Sequence, residues 1–270
     1  MIRTDLITER RELNPNKSRK TEFTKGHVTT ECVIIDDPLE ASSLKIPLGK
    51  YFTVEFEEPS IDAADITASV NSCLLKLLDF KYQSILIAGL GNRAVTPDAL
   101  GPLVCDRINA TRHIHTTPLF AALYDNVPSI SVIATGVLSS TGIDAAEQIL
   151  AIAKQIKPSA VIVIDALAAR RPNRLCRTIQ MSNTGIIPAS GCSGDRPAID
   201  NALLGVPVIS IGIPTVVDSR TYRLDCGGEP SDEELMLTPV DIDRLIIRCA
   251  TIIADSINGF FGTITKRKII

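Results

Sequence analysis

From residue 84 onward the chain alternates short, unbroken apolar runs with segments of helical period. SILIAGL (84–90) has no polar interruption, as a parallel strand covered on both faces requires. SISVIATG (129–136), AVIVIDAL (160–167) and VPVISIGI (206–213) repeat the pattern, and RTIQMS (177–182) reads as a further strand. The loop after the first run predicts a helix opening at Thr96-Pro97, since Thr is a good cap and Pro is tolerated at the first helical position. STGIDAAEQILAIAKQIK (140–157) predicts a helix capped by Ser140 or Thr141 and stopped by Pro158. PVDIDRLIIRCATIIADSIN (239–258) is an amphipathic helix. The alternation implies an α/β fold: a doubly wound, mostly parallel sheet with helices on both faces.

The first part of the chain is patterned differently. Residues 1–31 are polar and charged, and read as an N-terminal arm or loop, mobile or pro-segment-like. Residues 32–270 form a single domain, in which 32–60 is a small antiparallel β addition built from CVIID and GKYFTVEFE. IDAADITASVNSCLLKLLD (61–79) has helical spacing and should pack on the sheet.

With 270 residues, 45% of them hydrophobic, the chain can bury a sizeable core. A net charge of −3 gives no electrostatic argument for nucleic acid or an anionic membrane. No run reaches the length of an uninterrupted apolar membrane span, and the N-terminus has no signal-like apolar region. Seven cysteines without a C-x-x-C pair read as reduced, buried thiols. The expectation is a soluble protein in a cytoplasm-like compartment.

Candidate chemistry lies where strands end, because ligands of open α/β sheets sit beyond the carboxyl ends of the strands. Gly89-Leu90-Gly91-Asn92-Arg93-Ala94 fits a dinucleotide fingerprint, but the helix opens too late and no ribose-binding acid follows. The glycines are read as permitting a tight loop. Asp98 stands in the first turn of a predicted helix, where the macrodipole alone would favour an acid. Asp165 ends the run Val161 to Ile164, and an ion pair with Arg170 or Arg171, or a helix cap, would account for it. Together, on converging loops, the two acids admit a second reading. A carboxyl pair can share a proton, one member staying ionised as base and the other protonated as acid, which is what attack on an amide requires. The same pair could hold a divalent ion. TGVLSSTG (135–142) and IPTVVD (213–218) are expected as loops on the same rim. Lesser candidates are His113, Cys192 in SGCSGD as a nucleophile, and Asp218 as a third site acid or a loop cap.

VTPDALGP (95–102), TRH (111–113), the stretch 136–143, VIDALAAR (163–170), TIQ, NTGI, LGVPVISIGIPTVVD (204–218) and IRTDL (2–6) together resemble the germination protease family, endopeptidases that degrade small acid-soluble spore proteins. The resemblance implies a fold like that of hydrogenase-maturation peptidases, a homotetramer, synthesis as an inactive zymogen, and residence in the forespore or spore core. It places the catalytic acids on Asp98 and Asp165 and leaves both an aspartic and a metal-dependent mechanism open; of these the aspartic type without a cofactor is the favoured expectation, since Ile187 stands where the family has a histidine, and a divalent metal is the alternative. Thr21-Glu22-Phe23 resembles the acidic-then-apolar site the family cuts, so Glu22-Phe23 is a candidate self-cleavage site. The chain departs from the pattern at Asn183, Ile187 and Ala189, which replace an acid, a histidine and a glycine, and at Arg93, which replaces an aromatic residue. Alternatives are a maturation-type peptidase acting on another protein, and a non-catalytic relative that binds peptides.

Overall fold

The computed structural model describes residues 2–14, 19–59, 62–78, 83–116, 127–188, 196–229 and 234–267. Its strands are β1 (Arg19–Lys25), β2 (Val28–Ile35), β3 (Gly49–Glu55), β4 (Ser84–Leu90), β5 (Ser129–Gly136), β6 (Ala160–Ala169), β7 (Thr178–Ser182), β8 (Val208–Asp218) and β9 (Met236–Leu237). They form one mixed sheet in the order β1-β2-β3-β7-β8-β6-β4-β5, with β9 beside the end of β8. β5, β4, β6 and β8 run parallel to their neighbours within that group, and β7, β3, β2 and β1 extend the sheet by antiparallel pairing.

The helices are α1 (Ile7–Leu13), α2 (Pro38–Leu44), α3 (Ala63–Leu77), α4 (Leu100–Cys105), α5 (Leu138–Thr141), α6 (Ala145–Ile156), α7 (Asn201–Leu204), α8 (Ser219–Asp225) and α9 (Ile242–Arg267). Alternate residues of the central strands serve the two faces. Ile162 and Ile164 of β6 join Ile85, Ile87, Ile209 and Ile211 under α3, α4 and α9. Val161 and Val163 join Leu86 and Ala88 under α6, through Ala146, Ile149 and Ala153. Burial on both sides is the reason these strands are apolar at every position. Residues Ile242–Gly262 of α9 are long and apolar enough to cross a membrane, but more than half of that stretch is buried against the rest of the chain. Ile246, Cys249, Ala250, Ile253 and Ile257 belong to the main core, so α9 is apolar because it packs there.

Several local expectations are corrected. Within 1–31, residues 7–13 are a helix, and 19–25 and 28–35 are paired strands rather than loop. The amphipathic signal was weak because β1 is exposed at all seven positions, and an edge strand needs no apolar face when it is solvated on both sides. Leu6 and Ile7 are nevertheless fully buried. Thr96 does not cap: a single 3₁₀ turn spans Thr96–Asp98 and follows Val95 without a side-chain cap. Ser140 and Thr141 lie in α5, which ends at Gly142 in the left-handed region, and Asp144 instead caps α6 by accepting from the Ala146 N–H at 2.8 Å. IPTVVD is the outer half of β8, not a loop.

The N-terminal segment is fastened by Glu9. Its carboxylate is fully buried and accepts from the backbone N–H groups of Arg170 (2.6 Å) and Arg171 (3.1 Å) and from the Thr4 hydroxyl. Replacing it leaves two amides without their acceptor. Glu9→Ala should therefore destabilise the fold by about 1.5–3 kcal/mol, the range for hydrogen bonds to a charged group, read as a lower midpoint in urea unfolding at neutral pH.

Candidate active site

Chain order reverses between β4 and β6: β5 lies on one side of β4, and β6 on the other. A crevice opens at such a switch point. Here it is deepened by unequal strand lengths. β4 pairs with β6 only as far as Gly89↔Ile164, whereas β6 continues beside β8 to Ala169. Asp165 is thus not the last residue of its strand, as the sequence suggested, but the first beyond the reach of β4. A cavity of about 500 Å³ occupies the gap, and both Asp98 and Asp165 line it.

Asp98 is delivered by the loop after β4. Gly91 has φ +106°, and a Cβ there would stand 2.1 Å from the Asp98 carbonyl oxygen, so glycine is required for the loop to fold back. The Asn92 N–H donates to the Asp98 carboxylate at 2.8 Å. Gly89 and Gly101 let β4 and α4 touch, since a Cβ on either would meet backbone of the other segment at 2.3 Å. These glycines serve close packing and a tight loop, and the first loop amide is already occupied by a carboxylate rather than free for a phosphate.

Asp165 is 7% exposed. Its carboxyl is pushed well above the ordinary carboxylate range, first by burial and next by the charge of Asp98, against an opposing hydrogen bond from the Ala166 N–H. Asp98 is also raised by burial, with the Asn92 N–H pulling the other way. The two acids therefore titrate as an interacting pair, with Asp165 the member that holds a proton more firmly.

A third acid, Asp5, lines the same cavity. Its N–H donates to the Ala168 carbonyl (2.9 Å), and its carboxylate accepts from the Ala168 N–H (2.8 Å). Gln180 holds the segment from the other side, donating to the Asp5 carbonyl (2.8 Å) and accepting from the Ile7 N–H (2.6 Å). The charge of Asp5 adds to the upward push on Asp165, and that of Arg196 opposes it. Neither residue carries a motif in isolation. IRTDL was a recognisable string, but nothing local announces that it lies on β6.

The other candidates fall elsewhere or change role. Asp218 is a cap: its carboxylate accepts from the N–H (3.0 Å) and hydroxyl (2.8 Å) of Thr221 in α8. His113 lies in the 3₁₀ segment Arg112–Thr116, outside the cavity lining. Arg93 also stands outside it, paired with Asp106 at 2.6 Å. Asn183 accepts from the Lys50 N–H at 2.8 Å, joining β7 to the start of β3. Ile187 is on the cavity lip, half exposed, with Val95, Leu138 and Met236. Glu22 and Phe23 lie on the outermost strand, β1. Cys192 and Ala189 lie outside the described residues.

A mixed α/β sheet with paired carboxyls in a switch-point crevice can perform hydrolysis. The germination protease family model matches residues 10–226. A germination protease of Caldanaerobacter subterraneus subsp. tengcongensis is 43% identical over 236 residues, covering 83% of this chain and 72% of that protein. One from Clostridium tetani is 34% identical, covering 95% and 94%; one from Geobacillus sp. (strain WCH70) is 37% identical, covering 83% and 66%. The chain belongs to the germination protease family, and is a peptidase with protein as its substrate. Among solved structures, the nickel–iron hydrogenase maturation protease HycI from Thermococcus kodakarensis KOD1 matches with TM-score 0.39 and 16% identity, covering 69% of this chain and 97% of that one.

The raised Asp165 has a consequence for stability. An acid held above its unfolded value binds its proton more tightly when folded, so stability falls as pH rises from the unfolded value, near 3.8, through the folded one, and stays lower above it. Each tenfold weakening of ionisation amounts to about 1.4 kcal/mol. Asp165→Asn removes this cost and still offers an oxygen to the Ala166 N–H. It should raise Tm at pH 7 by at least about 2–4 °C, with the gain disappearing below about pH 4. Calorimetry across that range checks it.

Proposed function

We propose that this protein is an endopeptidase that initiates degradation of small acid-soluble spore proteins during germination, with water activated by Asp98 and Asp165. The observation that carries the reading is the convergence of two carboxyls with raised affinity for protons in one cavity at the switch point. Asp98, the less buried of the two and an acceptor from the Asn92 N–H, is the ionised base. Asp165, buried and repelled by its neighbours' charge, is the protonated acid. Asp98 takes a proton from water as the water oxygen bonds to the peptide carbonyl carbon. Asp165 gives its proton to the departing nitrogen as the C–N bond breaks.

Among the described residues no group of three or more His, Cys, Asp or Glu side chains is placed to hold a metal ion. The mechanism proposed is the metal-free form. Residence in the forespore, tetrameric assembly and an inactive precursor belong to the same reading.

The test is cleavage of a purified small acid-soluble spore protein. Asp98→Asn and Asp165→Asn should each lower kcat/KM by about 10²–10⁴-fold while circular dichroism shows an intact fold, and chelator should leave the wild type unaffected. Full activity in either variant would remove that acid from the mechanism. Cleavage of a hydrogenase precursor instead would favour the maturation-type alternative. Binding of substrate without cleavage would favour the peptide-binding one.

The Glu22-Phe23 bond is proposed as a self-cleavage site, and its position dictates how it would be cut. β1 is five strand spacings from β6 across the sheet, about 24 Å at 4.8 Å each. It is held there by pairing along its whole length with β2. Cleavage in place is therefore performed by another molecule. N-terminal processing at Phe23 should speed up per molecule in proportion to protein concentration, as followed by mass spectrometry. An N-terminus still intact after incubation of active protein rules the site out, and a concentration-independent rate rules out cleavage between molecules.

A further inference from the structure

Among the described residues, the cavity that holds three carboxyl groups is lined by one cationic side chain, Arg196. We propose that Arg196 is a further catalytic residue, whose guanidinium donates hydrogen bonds to the carbonyl oxygen of the scissile peptide as that oxygen becomes negative. The inference rests on the reading of this cavity as the site of peptide hydrolysis.

The backbone three residues after Arg196 is pinned. Ile186 and Ile199 exchange both backbone hydrogen bonds, at 3.1 and 2.8 Å, and Ile199 is fully buried. Gly185, at φ +77°, allows that approach, because a Cβ there would stand 2.2 Å from the Ile199 carbonyl oxygen. Asp200 then caps α7 by accepting from the Leu203 N–H at 2.9 Å. Arg196 therefore projects from just ahead of a pinned segment, on the same lip as Ile187 and Pro188. It is half-buried, and its charge reaches Asp165.

The chemistry needs such a group. Two acids supply a base and a proton, but both are occupied by the water and by the leaving nitrogen. The oxygen of the tetrahedral intermediate would otherwise develop its charge in a cavity surrounded by carboxyls. A guanidinium, permanently charged and carrying several N–H donors, offsets that charge without itself transferring a proton. No atom is gained or lost at Arg196: the oxygen accepts its hydrogen bonds while the C–N bond breaks, and returns to a carbonyl in the product acid.

The experiment compares wild type, Arg196→Gln, Arg196→Lys, Arg196→Ala and Asp98→Asn on a small acid-soluble spore protein, and on peptides with an acidic or a neutral residue before the scissile bond. Arg196→Gln should lower kcat by about 10²–10³-fold, with KM changed less than about threefold and the same loss on both peptides. Arg196→Lys should recover part of it, and free guanidinium added to Arg196→Ala should do likewise. Unchanged kcat in Arg196→Gln, alongside a dead Asp98→Asn, overturns the proposal and leaves the two-acid reading standing. A loss confined to KM and to the acidic peptide also overturns it, making Arg196 a recognition residue. If Asp98→Asn retains full activity, or the wild type cuts none of these substrates, the two-acid reading fails and this proposal fails with it. Should the Gln variant not fold, Arg196→Ala decides: a folded Ala variant with the wild-type kcat refutes the role.

Discussion

The site depends on the overhang of β6 past the end of β4. Up to Ile164, β6 is an interior strand with hydrogen-bonded neighbours on both sides. From Asp165 onward the β4 side is open, and a polar side chain there faces a crevice instead of a packed neighbour. The overhang also presents backbone groups that need partners. The N-terminal segment provides them through Asp5 to Ala168 and through Glu9 to Arg170 and Arg171. One mismatch in strand length thus opens the crevice, exposes an acid to it, and recruits the first residues of the chain to its wall.

This coupling explains why the fold was more legible than the site's boundary. Continuous apolar runs report burial on two faces, so the parallel strands and α9 could be read directly. The string IPTVVD looked like a loop because Pro214 and Asp218 are turn residues. Yet Pro214 sits inside β8, where its neighbour across the ladder is Leu167, next to a register shift between Leu167 and Ala168. An irregular ladder tolerates a residue that cannot donate. Residues 1–31 failed for the opposite reason. Their order comes from contacts more than 150 residues distant, such as Ile7 to Gln180, and no local pattern encodes those.

Of the site itself, the sequence exposed Asp98 and Asp165 because each follows an apolar run. Asp5 and Arg196 were invisible by the same logic. Asp5 lies in a short polar string, and Arg196 follows a glycine-rich stretch, SGCSGD, with no period at all. Asp218 shows the converse error. It has the same sequence signature as Asp165, an acid after β-branched residues, but its carboxylate is consumed by capping α8. An acid after a buried strand is a common local solution for starting a helix. What separates Asp165 is that β6 carries on, so its carboxylate has no helix amides to satisfy beyond the single bond from Ala166.

Charge balance then follows from that lack of partners. A carboxyl with several backbone donors is stabilised as an anion, whereas one with a single donor, buried beside two other acids, keeps its proton. Asp98 and Asp165 each accept one backbone N–H, from Asn92 and from Ala166, and are separated by burial and neighbouring charge: Asp98 is part-exposed, whereas Asp165 is buried and feels the charges of Asp98 and Asp5. Two identical side chains thereby come to hold a proton with unequal strength. The cost appears as lost stability at neutral pH, and it is confined to the one position where β6 has outrun its neighbour.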